Sequence, residues 1–479
     1  MKRFWLVLLS LGLIMAFSAS AFAVDVKVSG EFDVAGLYLN KIRLGDRPGI
    51  FTPNPSTAFY YQKLRIGTDF IVAPCLKLVT KFDAMDRIWG GARSTSHTDF
   101  PSGNGATDNT GGVAGTRAES ENLVLDLAYI EYTSPIGLFK VGYQPDFVWG
   151  TVFGDRGNGM PSGQINYMVP VGPVTITAGL AKEVDNSYSA VSSQAGHHGN
   201  PTINSTRSDR DFDSYRLAAV YAAKGIEAGA LLLYNRDAEN RGYASGPYLT
   251  ETYNLLPYFK ATIGPVALQG ELNYGFGNAR KYEYDITGED LTVSTLSVFL
   301  DATANLGMVY VGGSFAYVSG QNIGDTSKVE TGVGNTGGLD WNPCLILFNT
   351  DLDYWAGDVT GHSDSVVNGE MANAWFFQGR VGVKPMPKLD TMLSISYAMA
   401  DQKVVPSGSW YTTTPGGSYG VEVDITGTYK ITNNLSYMLG AGYLFTGDYF
   451  KGTNQFQERF GAAQVNDDFI IINKLTLSF

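Results

Sequence analysis

Several residue sets in this chain have the types and spacings that chemistry uses. Gly416-Gly417-Ser418-Tyr419-Gly420 matches G-x-S-x-G, a pattern that works when the serine sits on a tight strand-to-helix turn. Here it lies between a Pro-Gly loop and a strand pattern, with no helical pattern after it, so an active serine is not expected. Gly332-Val333-Gly334-Asn335-Thr336-Gly337 matches G-x-G-x-x-G. It follows no apolar strand and opens no helix, as dinucleotide binding requires, and reads as a loop. The histidines His97, His197, His198 and His362 fall in polar connections, and surface decoration accounts for them. Asp351, Asp353 and Asp358 offer carboxylates for Ca²⁺, but the remaining oxygen ligands and glycine of a calcium loop are missing. No nucleophile–base pair is placed. Neither an enzyme nor a cofactor or metal is expected.

A second set is defined by charge. The segment 57–72 alternates so that Lys63, Arg65 and Asp69 share one face while Leu64, Ile66 and Phe70 take the other. The next segment puts Lys77, Lys81, Asp83 and Arg87 on one face. If the two segments pair, their cations form a basic stripe, either a filter or the generic lining of a wet interior. Lys27, Glu31, Asp33, Glu271, Glu422 and Asp424 occupy the same polar parity on other segments.

The elements that carry these residues are strands. "VALQGELNYGF" sets Val266, Leu268, Leu272, Tyr274 and Phe276 against Ala267, Gln269, Glu271 and Asn273. "VEVDITGTYKI" sets Val421, Val423, Ile425 and Tyr429 against Glu422, Asp424, Thr426 and Lys430. Period-two alternation dominates and helical periodicity is nearly absent, so the chain is all-β. Short turns at 73–74, 135–137, 170–173, 224–225, 263–265, 305–307, 384–388 and 433–434 alternate with longer polar connections. Eight short turns and nine long loops give eighteen strands. That pattern is a transmembrane antiparallel β-barrel, apolar outside and polar inside, with short periplasmic turns and long extracellular loops. Closure satisfies every backbone group in lipid. Tyr60, Tyr132, Tyr234, Tyr258, Tyr397 and Tyr443 fit the interfacial girdles. A soluble β-sandwich needs no such alternation of turn lengths.

The alternation has two faults. Asp126 and Glu131 lie on opposite parities of one strand, which requires a bulge or a strand end in the headgroups. Asp86 falls on the lipid parity, consistent with the outer rim.

Residues 1–23 have the organisation of a cleaved signal peptide: Lys2 and Arg3, the apolar run Phe4 to Phe17, and Ala21-Phe22-Ala23. Removing Lys2 and Arg3 from the 34 basic residues leaves 32 against 46 acidic ones, a mature charge of −14. That argues against nucleic acid as a partner. Cys75 falls in a short turn and Cys344 in a long loop. A bilayer core of about 25 Å would separate them, far beyond the roughly 6 Å that a disulfide spans, unless loop 320–370 plunges through the barrel. That loop carries "WNPCLILFN" (341–349), an apolar patch that exposure would make sticky. A lid, a plug and a subunit contact are all open to it.

The last strand, "NDDFIIINKLTLSF", ends on Phe479. With the leader and a strand directly after it, the mature chain resembles the bacterial outer-membrane porins of 16 to 18 strands. The resemblance implies residence in the outer-membrane lipid and recognition of Phe479 by the barrel-assembly machinery. It also implies association as a homotrimer and a water-filled channel for passive diffusion of small hydrophilic solutes and ions. In general porins the third outer loop folds inward and carries Pro-Glu-Phe-Gly-Gly-Asp. The third loop here (144–162) has Pro145-Asp146-Phe147 and then Phe153-Gly154-Asp155, with a wider gap. By resemblance, Asp146, Asp155 and Arg156 would face Lys63, Arg65, Lys81, Asp83 and Arg87 across a constriction. Two other classes share this architecture: a substrate-specific uptake or export barrel, and a barrel scaffold for a partner protein.

Overall fold

The computed structural model describes residues 24–45, 56–90, 123–145, 147–153, 155–156, 161–185, 210–242, 247–282, 289–322, 324–331, 341–361, 366–403, 416–450 and 465–479. The leader 1–23, the G-x-G-x-x-G stretch, the four histidines and Asp146 lie outside these residues.

Eighteen long antiparallel strands close on themselves, with a two-residue strand, Lys328–Val329, alongside as a nineteenth member of the sheet. They are β1 (Asp25–Leu39), β2 (Thr57–Ala73), β3 (Leu76–Ile88), β4 (Leu123–Ser134), β5 (Gly137–Gln144) and β6 (Ser162–Val171). Then follow β7 (Val174–Val184), β8 (Phe212–Ala223), β9 (Ile226–Asp237), β10 (Tyr248–Ile263), β11 (Val266–Tyr282) and β12 (Leu291–Leu306). The last six are β13 (Val309–Val318), β14 (Ala374–Met386), β15 (Leu389–Ala400), β16 (Ser418–Lys430), β17 (Leu435–Thr446) and β18 (Asp468–Ser478). Each long strand pairs with its sequence neighbours, and β1 pairs with β18 from Glu31↔Ser478 to Leu39↔Ile470. No edge is left open, so the ladder satisfies the strand backbones as lipid demands. No helix is long and apolar enough to cross a membrane.

The outward parity is apolar. Leu255 and Phe259 on β10, Ile425 on β16, and Ile471, Leu475 and Leu477 on β18 are exposed in the isolated chain, as lipid-facing side chains are. Toward the loop end, Tyr215, Tyr234, Tyr253 and Phe276 stack across β8 to β11, with centroids 5.9, 4.8 and 5.3 Å apart. Such a row is an interfacial aromatic belt. Tyr258 does not join it. It shares the inward parity of β10 with Asn254 and Leu256, both buried, and meets Trp149 edge to face at 5.1 Å.

Both faults in the alternation are bulges. Lys81 pairs with Leu127 and Phe82 with Leu125, so Asp126 is the extra residue of β4. Gln62 pairs with Arg87 and Leu64 with Ala84, so β3 carries an extra residue around Met85, whose φ is 55°. This second bulge overturns the lipid-facing placement of Asp86. Its carboxylate instead lies 3.6 Å from the Lys63 ammonium.

The main buried core lies inside the barrel, where a water-filled tube would have none. Phe299, Phe376, Leu444 and Ile470 point inward from β12, β14, β17 and β18. They pack on Ile346, Leu347, Phe348, Leu352, Val359, Val367 and Met371 from the connection between β13 and β14. The long loop with the apolar patch therefore fills the loop-end part of the lumen.

Candidate functional site: two loops inside a charged barrel

Loop 7, between β13 and β14, is held by its backbone. Ile346 and Leu347 donate their N–H groups to the two carboxylate oxygens of Glu422 on β16, each at 2.7 Å. Glu422 is fully buried. The wall opposite this segment is small. A Cβ on Gly442 of β17 would lie 3.1 Å from the Leu345 Cβ and 2.4 Å from an Asp424 oxygen, so only glycine leaves room for both. Gln378 of β14 donates to the Pro343 carbonyl at 2.7 Å. After this segment comes α1 (Thr350–Ala356), capped by the Asn349 side chain, which accepts from the Leu352 N–H at 2.7 Å. Asp351 and Asp353 fall in the first turn of α1, where negative charge complements the helix N-terminus. Trp355 stacks on Tyr61 of β2 at 4.1 Å, and the Tyr354 hydroxyl donates to Asp86 at 2.5 Å. Bulge and helix thus meet: the extra residue in β3 brings Asp86 to where α1 can reach it.

Loop 3, between β5 and β6, is held in the same way. Thr151 and Phe153 donate their N–H groups to Glu271 of β11, the first at 2.5 Å. Glu271 is buried. Gly150 has φ 74°, and a Cβ there would lie 2.3 Å from a Glu271 oxygen, so this bend requires glycine. The Trp149 indole donates to the Leu256 carbonyl at 2.8 Å. Phe147–Val148 and Asp155–Arg156 pair as a two-residue ladder, which makes the loop a small hairpin. Phe153 then meets Trp341 of loop 7 edge to face at 5.2 Å, and both rings contact Phe299. Two loops that start from different arcs of the barrel share one aromatic joint.

Beside this joint the lumen wall divides into wet and dry arcs. On β2 and β3, Asp83 binds Arg65 through both oxygens, at 2.9 and 3.1 Å, and Lys63 at 2.9 Å. Toward the turn end, Lys77 bridges Asp69 at 3.2 Å and Glu131 at 2.8 Å, and Glu131 also holds Lys140 at 3.0 Å. The side chains of Lys63, Arg65, Lys77 and Lys140 keep 28–33% of their surface exposed. Across the barrel, Glu271, Asn273, Ser297, Ser394, Ser396, Glu422 and Asp424 are all buried. At the loop end α1 also reaches β2 and β3, through Tyr61, Asp86 and Lys63, whose ammonium lies 5.5 Å from the Tyr354 ring centre. Below that contact the cation-rich stretch of β2 to β5 is the more exposed part of the wall.

No protein-family model matches the chain. No curated protein matches it either. Several solved structures are similar to it along nearly their whole length. OccAB2 of Acinetobacter baumannii is similar over 96% of this chain and 100% of that one, at 10% identity and a TM-score of 0.48. Pseudomonas aeruginosa OpdK, solved with vanillate, covers 95% and 99% at 12% identity and a TM-score of 0.46. An anion-selective porin from Comamonas acidovorans covers 95% and 99% at 11% identity and a TM-score of 0.42.

The residues singled out in the sequence divide accordingly. Lys63, Arg65 and Asp83 are brought together on one wall as an interleaved set rather than an unbroken basic stripe. Lys81 lies on the same strand as Asp83, opposite Gly67 of β2. Arg87 was expected on the same face, but the bulge that brings Asp86 to Lys63 shifts Arg87 into register with Gln62, off the parity of Lys63 and Arg65, and it is buried. Asp155 and Arg156 sit in the two-residue ladder of loop 3. Cys75 is exposed in the β2–β3 turn and Cys344 is buried in loop 7, both as free thiols. Ser418 opens β16 opposite Met399, and the strand-to-helix turn of a nucleophilic serine is not formed. Glu271 and Glu422 were legible as inward-facing acids, but not as the residues that hold loops. The available signal was the company they keep: inward neighbours such as Ser394, Ser396, Gly440 and Gly442 are too small to fill a lumen by themselves.

Proposed function

We propose that this chain is a narrow outer-membrane channel for small hydrophilic solutes and ions, moved down their gradients, with no bond made or broken. One observation carries the reading: below the contact of α1 with β2 and β3, the wall is split between an arc covered by loops 3 and 7 and a more exposed, cation-rich arc on β2 to β5. A wide general pore has no use for an apolar core in its lumen. A narrow channel does, because displacing the path to one side forces every solute past a fixed set of charges, which sets ion preference. Lys63, Arg65, Lys81 and Asp83 supply that set in this proposal, with Asp146, Asp155 and Arg156 of loop 3 as its counterpart. In the outer membrane, the short turns would face the periplasm and loops 3 and 7 would enter from outside.

Purified protein in planar lipid bilayers tests this. Small, stepwise, ion-selective conductance supports the channel. Absence of any conductance step overturns it.

A further inference from the structure

Where loop 7 meets β16, three potential metal-ligand groups converge. The Cys344 sulfur and carboxylate oxygens of Glu422 and Asp424 lie within 4.8 Å of one another, and all three residues are buried. The carboxylates differ in their hydrogen bonding. Both Glu422 oxygens accept backbone N–H groups from loop 7. Asp424 is 3% exposed, and no donor reaches either of its buried oxygens with good hydrogen-bond geometry, although the Ser394 hydroxyl, the Leu345 N–H and the Glu422 carboxyl all lie beside them. Ser394, directly opposite Asp424 in the ladder, buries its hydroxyl next to that carboxylate, also without well-aligned geometry. Among the described residues no lysine or arginine forms an ion pair with either acid.

Two carboxylates in a dry site without a cation are costly, by several kcal/mol per ion even after relaxation. Orphaned polar atoms cost more on top. Protonation could neutralise the acids, but it leaves the sulfur without a role. A dication offsets the two carboxylate charges and takes the sulfur as a third ligand, leaving one net negative charge that the Ile346 and Leu347 N–H groups face. Thiolate beside carboxylate suits a borderline ion such as Zn²⁺ and is foreign to Ca²⁺ or Mg²⁺, which take oxygen ligands.

We propose that Cys344, Glu422 and Asp424 form a site for a divalent transition-metal ion, Zn²⁺ by preference, that fastens loop 7 to the barrel wall. Metal–sulfur and metal–oxygen bonds form, and the Cys344 thiol releases its proton to solvent. Each oxygen of Glu422 keeps a lone pair for the ion while accepting its N–H group. The ion therefore joins the backbone latch instead of replacing it. The site does not depend on the barrel conducting; only its role as a fastener rests on the channel reading.

The test uses the full chain with Cys75→Ser, purified in detergent, so that Cys344 is the one remaining thiol. Co²⁺ is titrated while the near-ultraviolet thiolate-to-cobalt band and the visible ligand-field bands are recorded. One equivalent is expected to bind with a thiolate band, and Zn²⁺ to displace it. Asp424→Asn should weaken binding by more than the roughly 10- to 100-fold that loss of an outer-shell partner costs. Folding is checked by compact migration on unheated SDS gels. If Asp424→Asn does not assemble, Cys344→Ser is compared for retention of Zn²⁺ after dialysis, with loss expected. Folded protein that binds no Co²⁺, binds it without a thiolate band, or keeps its affinity in these variants overturns the site. Metal binding without conductance would overturn the channel and leave the site standing.

Discussion

Phe153 of loop 3 and Trp341 of loop 7 meet edge to face inside the barrel, with ring centroids 5.2 Å apart. They are almost two hundred positions apart in sequence, and each hangs from a loop anchored to its own buried glutamate. Their contact makes the two loops one insert. Aromatic pairs of this geometry contribute about 0.5–1.5 kcal/mol beyond the area they bury.

Trp341→Ala should therefore loosen both loops. Truncating a fully buried tryptophan costs about 3–5 kcal/mol; Trp341 is partly buried and should cost less, though it also contacts Phe299 and Phe376 at 5.5 and 5.4 Å. The expected outcome in planar bilayers is higher conductance with more frequent transitions between levels. Barrel assembly should be unchanged, since no strand ladder is touched.

The two glutamate latches should separate by loop. Glu271→Ala leaves the Thr151 and Phe153 N–H groups without their acceptor, and hydrogen bonds to charged groups are worth about 1.5–3 kcal/mol each. Protease accessibility is expected to rise within 145–161 and to stay low within 341–356. Glu422→Ala should reverse that order. Limited proteolysis of intact barrels, read by mass spectrometry, checks both.

The charged wall should set ion preference through Asp83, which holds Lys63 and Arg65 together at 2.9 Å each. Asp83→Asn removes one negative charge and leaves the two cations, so reversal potentials are expected to move toward anions. Replacing Lys63 and Arg65 together by Gln should move them toward cations. Neutralising Asp146 and Asp155 together should also move them toward anions. Bi-ionic reversal potentials measure all three.

The barrel was legible in the sequence because its physics is local. Alternation follows from the two-residue repeat of a strand, and the Gly and Pro turns mark where each hairpin closes. Even Asp126 announced its bulge, since it broke parity against Glu131 within one strand. Asp86 did not. A residue on the wrong parity has two explanations, rim or bulge, and choosing between them needs the register of β2 against β3. The loops were less legible for a related reason. "WNPCLILFN" declared that it must be buried, but not where. Its acceptor Glu422 lies 75 positions from Leu347, and only the small inward residues of β15 and β17 marked the space it fills. Loop 3 was expected in the lumen by resemblance, whereas its anchor, Glu271, belongs to the opposite wall and no spacing points to it.

The most direct test of a lumen narrowed by inserted loops is single-channel conductance of the intact chain against a variant in which residues 341–356 are replaced by a short Gly-Ser linker. The intact chain is expected to give small, ion-selective steps. The variant, lacking the Glu422 latch, the aromatic joint and α1, is expected to give conductance several times larger with weaker selectivity. Equal conductance and selectivity in the two proteins would contradict the account.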